Sequence, residues 1–429
     1  METISNIKWW DTFIKKTNNF TETTVIKNSM SIEFMESLNS AVMVGLRNRI
    51  LAKDENGLRI YFPEKDVKKE DDAFFKIFFE SPPLDNENIV DYCNRVFKEK
   101  FGLILNFYER HSEYIAIEIR KIIEPFIEKI GIPATGFDIT VFIGNYGWTP
   151  LGIHQDHIGE NVMHMHLGPG SKKMYTWDEK DYKELTDTKH NNFDIEPLLK
   201  HAEEHEFSTG DVFFMPWNKF HIGRADELSV GVTLWFNSPT KIRFFDKIMN
   251  TFYTSYIEED KKEILKPINN YVEDHILFEE FLSNLKKKDF LLDLKVEDFF
   301  KYLYNEYKYS LLSNGCWQAA PLSQATMSKY DIENYEFLED KTIIGTAPFI
   351  IYHILNEKDS TISIFVRGSK IDSRFSPEIL TIIEILNSHK EVKVVDLINN
   401  KESGWPPEAF LYILSMIYDK RGFEIIADE

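Results

Sequence analysis

The sequence predicts an α+β protein in which a small antiparallel barrel or sandwich sits between helical regions. From about residue 137 to 240, the segments FDITVFIG, NVMHMHLG, KKMYTW, GDVFFMPW and LSVGVTLWFN are short and β-rich, and Gly and Pro break them. On both sides of this stretch, apolar residues recur at helical spacing. Near the end, short helices are followed by the strand-like FEIIA, a texture that suggests a winged-helix module.

The elements can be taken in order. TETTVIKN is β-branched and reads as a strand, and SMSIEFMESLNSAV starts a helix with Ser31 as its N-cap. HSEYIAIEIRKIIEPFIEKIG keeps helical periodicity until Gly131 and Pro133 stop it. Inside the β region, DEKDYKELTDTKHNNFDIEPLLKHAEEHE is polar and reads as a surface excursion. After residue 240, RFFDKIMNTFYTSYIEE, ILFEEFLSNLKKK and KVEDFFKYLYNEYKYSLL are amphipathic helices rich in Phe and Tyr, which need a partner surface. TISIFVRG is then a strand, and SPEILTIIEILNSH a helix capped by Ser376 with Pro377 at its first position. The chain therefore divides into 1–240, a helical segment over 241–312 that is expected to dimerise, and a winged-helix-like domain over 313–429.

Composition narrows the function classes. With 43% hydrophobic residues and 34 Phe among 429 residues, a large core is expected rather than disorder. The net charge of −20 disfavours nucleic acid and anionic lipid as partners and suits a basic one. Only Cys93 and Cys316 are present, which excludes a disulfide framework and a cysteine zinc site. METISNIKWWDTFIKK has no apolar leader core, and no stretch approaches the ~18 apolar residues of a membrane span. A cytoplasmic, reducing setting is expected.

The chemistry concentrates in TPLGIHQDHIGENVMHMH, which holds four of the 12 histidines. On a strand, His154 and Asp156 leave the same face, offering a nitrogen and an oxygen donor to a divalent metal. A third ligand must come from another strand, and His221 follows the strand and turn of GDVFFMPWNKFH. Two His and one carboxylate form the facial triad of non-haem Fe(II) oxygenases, which leaves three positions open.

With these motifs in view, the chain resembles the JmjC-type members of the cupin superfamily, the 2-oxoglutarate-dependent oxygenases. HQD matches that family's HxD, GSK at 170–172 its GxK, and GDVFFMPWNKFH its GDxLxxPxxxxH. LSVGVTLWF resembles the following strand and NNFTETTVIKNS the entry strand, so the motifs cover roughly residues 15 to 240. The resemblance implies a double-stranded β-helix with a helical surround. It also implies Fe(II) on His154, Asp156 and His221, with Lys172 neutralising the distal carboxylate of 2-oxoglutarate.

Departures from the family pattern mark further positions. Where the family often has Gln, eight residues after the metal aspartate, this chain has His164. The family's Asn lies four residues after the aspartate, whereas Asn161 lies five after. Both are candidate co-substrate contacts. The interval to GxK is longer than usual, so Lys173 competes with Lys172, which the GxK match favours. His157 reads as a rim residue, His164 and His166 as cavity lining on one strand face, and His201 and His205 as a solvated helical face. Trp217 and Trp235 are candidates for lining the cavity.

The order of domains also resembles that of ribosomal oxygenases, dimers that hydroxylate side chains of ribosomal proteins. The resemblance implies a hydroxylase acting on a basic protein or peptide, either a ribosomal protein or a peptide precursor. The C-terminal domain lacks a basic face, which argues against DNA binding, and a winged helix can hold a peptide by β-addition. Two other readings are a metal-dependent cupin isomerase or dioxygenase without 2-oxoglutarate, and a non-catalytic peptide-binding protein with a relict barrel.

Overall fold

Period-two burial in the strand Phe137–Gly144 organises the first half of the molecule. Ile139, Val141 and Ile143 point into the main hydrophobic core, whereas Asp138, Thr140 and Phe142 line a cavity. One face is therefore apolar and covered by helices, and the other is partly polar and open to a ligand. The computed structural model describes residues 3–63, 72–187, 189–257, 275, 279, 282–286, 288–328, 330–399 and 404–426.

This strand belongs to an antiparallel sheet of seven. Its order is Thr24–Ile26, Val212–Met215, Glu160–Pro169, Ser229–Asn237, Phe137–Gly144, Gly102–Leu105, Leu58–Tyr61. A second antiparallel sheet has the order Gly147–Trp148, Lys219–Ala225, Lys172–Asp178, Glu203–Phe207, and the short strand His154–Gln155 also pairs with Lys219–Ala225. Both sheets contribute to the cavity wall.

Helices Ile7–Lys16, Ile32–Ala52, Glu113–Ile122 and Glu124–Ile130 place Trp10, Phe13, Leu46, Ile119 and Phe126 in the same core as Val141 and Leu234. Each such side chain contributes about 1.5–3 kcal/mol of burial free energy. Ser31 caps its helix as expected, its hydroxyl accepting from the Phe34 N–H at 3.2 Å. The helix expected to run up to Gly131 is instead two helices that break at Ile123. Pro125 lacks an amide hydrogen and constrains the residue before it, so the turn reopens there.

The polar excursion is more structured than its composition suggests. Helix Glu179–Thr186 follows the strand Lys172–Asp178, and Glu203–Phe207 adds an edge strand. His205 therefore does not stand on a solvated helix. It is buried beside Phe213, with Nε2 3.0 Å from Thr176 Oγ1. Strand alternation carries His205 and Phe207 inward and the glutamates outward.

Beyond the sheets, helices Lys241–Tyr256 and Val296–Ser313 pack around Ile248, Phe252 and Leu303. Of the expected helix in ILFEEFLSNLKKK, residues 276–278, 280, 281 and 287 lie outside the described residues. At the C-terminal end, Val392–Lys393, Thr342–Gly345 and Phe423–Ile425 form a three-stranded sheet, and helices Pro377–Asn387, Val394–Ile398 and Pro407–Asp419 share a core with its Ile343 and Phe423. Ser376 stands at the start of its helix, but its hydroxyl donates to the Glu378 carboxylate instead of capping a backbone N–H. A separate meander of Tyr352–Asn356, Thr361–Val366 and Ser369–Arg374 carries Arg367 in the turn between its second and third strands. This buried guanidinium pairs with Glu113 and lies 3.5 Å from the Phe349 ring centre, tying the meander to the helices behind the large sheet. Among the described residues, no helix is long and apolar enough to cross a membrane.

Candidate metal centre

The ladder between His154–Gln155 and Lys219–Ala225 sets His154 directly opposite His221. Their ring centres are 4.4 Å apart, and the Nε2 of His221 lies 3.8 Å from Asp156 Oδ2. Ligand atoms of His154, Asp156 and His221 all lie within 4.8 Å of one another. Strand pairing thus joins two histidines that are distant in sequence, and the x of HxD keeps Asp156 beside them.

Hydrogen bonding orients both rings. His154 Nδ1 is 2.8 Å from the Gly152 carbonyl and His221 Nδ1 is 3.3 Å from the Lys219 carbonyl. A carbonyl only accepts, so each Nδ1 carries the hydrogen and each Nε2 keeps its lone pair for a metal. Burial, aided by the neighbouring His221, pushes His154 down to about 4, and burial, aided by the Lys172 charge, brings His221 to about 4. Burial pushes the Asp156 carboxyl up to about 6, and its Oδ2 is buried without a hydrogen-bond partner. Two neutral imidazole lone pairs facing an uncompensated carboxylate oxygen fit a divalent cation, and the N₂O donor set suits Fe(II).

The centre opens on a cavity of about 570 Å³. Lys172 is buried on its wall, with its ammonium 4.8 Å from the Phe142 ring centre and 5.9 Å from that of Tyr146. It makes no ion pair among the described residues. Lys173 leaves the opposite face of the strand and pairs with Glu204 at 2.6 Å and Glu206 at 3.8 Å. Period-two geometry separates the two lysines.

His164 lines the cavity with Thr233, which stands opposite it in the ladder. Asn161 does not reach the cavity. It lies on the other face of the strand Glu160–Pro169 from His164, and its Oδ1 accepts from the Trp217 N–H at 3.3 Å. Trp217 is likewise outside the cavity wall, whereas Trp235 is part of it, with its Nε1 buried and unpartnered. His157 is exposed at the rim and His166 is fully buried behind His164.

Several lining residues were not singled out from the sequence. Asp138, whose Oδ2 accepts from Asn237 Nδ2 at 2.8 Å and Gln318 Nε2 at 3.0 Å, stands on the wall with Glu160, Arg243 and Lys247. The alternation of Thr233, Trp235 and Asn237 along LSVGVTLWFN was the available signal. No sequence signal pointed to Arg243, Lys247 and Gln318, which come from beyond the β region.

No protein-family model matches the chain, and no curated protein matches it either. Among solved structures, it is similar to the crystal structure of the Escherichia coli ribosomal oxygenase YcfD, at 13% identity over 99% of this chain and 100% of that one, with a TM-score of 0.47. It is also similar to YcfD in complex with cobalt and 2-oxoglutarate, at 13% identity over 94% and 95% of the two chains, with a TM-score of 0.43. A YcfD complex with cobalt and succinic acid matches at 14% identity over 97% and 98%, also with a TM-score of 0.43.

Proposed function

We propose that this chain is an Fe(II)- and 2-oxoglutarate-dependent hydroxylase of the JmjC type acting on a side chain of a protein or peptide. The observation that carries the reading is the pairing, in one cavity, of the His154–Asp156–His221 cluster with the buried, uncompensated Lys172. Bound there, Fe(II) together with 2-oxoglutarate and O₂ supplies the oxidising power for C–H hydroxylation, with succinate and CO₂ as co-products. His154, Asp156 and His221 would hold the metal and leave one face open.

Lys172 would neutralise the distal carboxylate. His221 stands opposite Thr176 in the ladder, and Lys172 is four residues from Thr176 along that strand. At ~3.3 Å per residue this is roughly 13 Å between backbone positions, a span that a five-carbon dicarboxylate and a lysine side chain can fill together. Apolar walls from Phe142, Phe213 and Met215 limit access of water to the reacting end.

The substrate side of the cavity is polar, with Asp138, Glu160 and Asn237 from the sheets and Arg243, Lys247 and Gln318 from the following segments. Such a mouth suits a polar side chain presented on a peptide, and the net charge of −20 suits a basic partner in the cytoplasm, a ribosomal protein or a modified peptide precursor. In this reading the two sheets are a double-stranded β-helix within 1–240, residues 241–312 mediate dimerisation, and 313–429 is a winged-helix-like unit that helps to hold the peptide. The test is succinate formation from 2-oxoglutarate by the full chain, with and without Fe(II). It is followed by mass spectrometry of basic proteins and peptides for one added oxygen atom. Iron-dependent succinate is the expected result, and its absence would return the isomerase and relict-barrel readings.

A further inference from the structure

The cavity wall beside Lys172 carries a hydrogen-bond chain that the metal reading leaves unused. Thr233 Oγ1 is 2.7 Å from His164 Nδ1, His164 Nε2 is 3.4 Å from His166 Nδ1, and His166 Nε2 is 2.7 Å from the Gly170 carbonyl. Both imidazoles are buried, at 4% and 0% exposure, and only Thr233 and His164 reach the cavity. Gly231, opposite His166 in the ladder, makes room for the His164 ring, because a Cβ there would collide with it.

The end of this chain dictates its direction. The Gly170 carbonyl can only accept, so a neutral His166 must carry its hydrogen on Nε2 and present a bare Nδ1. His164 then donates from Nε2 to that Nδ1, and its own bare Nδ1 takes the Thr233 hydroxyl hydrogen. In this polarity Thr233 shows the cavity only lone pairs, which repel a carboxylate. Reversal needs one additional proton. With His166 doubly protonated, its Nδ1–H donates to His164 Nε2, His164 Nδ1–H donates to Thr233, and the Thr233 hydroxyl is free to donate to a ligand.

We infer that Thr233 is a second anchor for the distal carboxylate of 2-oxoglutarate, and that His164 and His166 position it by taking up one proton when that carboxylate binds. The inference rests on the proposed co-substrate. The charges that face the histidine pair are Lys172 on the cavity side and the Lys27–Asp211 ion pair behind His166. Without ligand, burial and Lys172 hold both imidazoles below the usual histidine range. A carboxylate on Lys172 removes the excess positive charge and favours the protonated pair. The proton comes from solvent and resides on the two rings, so no bond to the ligand changes.

The experiment is calorimetric titration of 2-oxoglutarate into the cobalt-loaded full chain, in buffers of different ionisation enthalpy near pH 7. Wild type should take up close to one proton per ligand bound. Thr233→Val and His166→Gln should each bind 2-oxoglutarate about three- to ten-fold more weakly with uptake near zero, while the cobalt absorption spectrum stays unchanged. Binding without proton uptake in wild type, or equal uptake in both variants, overturns the inference and leaves the co-substrate assignment intact. If wild type binds no 2-oxoglutarate, the co-substrate assignment falls and takes this inference with it.

Discussion

Asp156 Oδ2 lies 3.8 Å from His221 Nε2, buried and without a hydrogen bond, so the ligand-free protein holds an unmatched acceptor at its centre. Removing that charge should separate stability from function. Asp156→Asn should bind no cobalt and yet raise the stability of the metal-free protein at pH 8 by about 1–2 kcal/mol. The sign follows from a folded-state pKa raised to about 6: this group's contribution is complete below the unfolded value near 4 and is lost as pH rises through 6. His154 and His221, held near 4, act oppositely between 4 and about 6.5, so pH 8 isolates the carboxylate. Thermal melts with and without cobalt measure both effects, and a variant that binds cobalt as wild type does would remove Asp156 from the ligand set.

His154→Ala and His221→Ala should each weaken metal binding by about 100-fold or more while the fold is kept, since two ligands hold a metal loosely. His157→Ala and His166→Ala should retain the metal, because His157 is exposed at the rim and His166 is bonded to Gly170. Loss of metal in either control variant would mean that the wrong histidines have been assigned.

Lys172→Ala should keep the fold and the metal but raise the KM for 2-oxoglutarate at least about tenfold, or ~1.4 kcal/mol. Lys173→Ala should do little, as it loses only half-exposed pairs with Glu204 and Glu206 on the outer face. Steady-state succinate formation across 2-oxoglutarate concentrations distinguishes the two, and matching KM values would remove the role from Lys172.

Gly231→Ala should destabilise the protein by about 1–3 kcal/mol through collision with the His164 ring. Gly231→Ala combined with His164→Ala should recover most of that loss, since the colliding ring is gone. A double-mutant cycle by chemical denaturation tests this, and additive losses would show that the ring is not the obstacle.

Ile242, Phe245 and Tyr253 on one helix, and Val296 and Tyr304 on its neighbour, are exposed among the described residues, Ile242 and Val296 by 71% and 72%. This apolar surface should pair two copies of the chain. Light scattering should give twice the chain mass at micromolar concentration, and Phe245→Glu should lower it. A monomeric wild type would reject the pairing.

The β region was legible because Gly and Pro punctuate short alternating segments, and the helices because their apolar faces repeat. Where longer-range or competing local effects act, the reading failed. Pro125 split a periodic helix, and the Glu-rich run around His205 formed an edge strand once a neighbouring strand supplied its hydrogen bonds. Asn161 was chosen by its distance from Asp156 in sequence, but strand alternation turned it to the other face.

The sequence by itself pointed to His154, Asp156 and His221 as candidate ligands, the first two through the HxD spacing and the third through the local run GDVFFMPWNKFH, since each of these two signals lies within one short stretch of chain. Only the tertiary structure decided what surrounds them. The ladder register set His154 opposite His221, separated Lys172 from Lys173, and closed the chain from Thr233 through His164 and His166 to the Gly170 carbonyl. It also brought Arg243, Lys247 and Gln318 to the cavity from beyond the β region. These relationships depend on which strands pair and which helix closes the mouth, and such pairings are set by burial across the whole core rather than by any local run of residues.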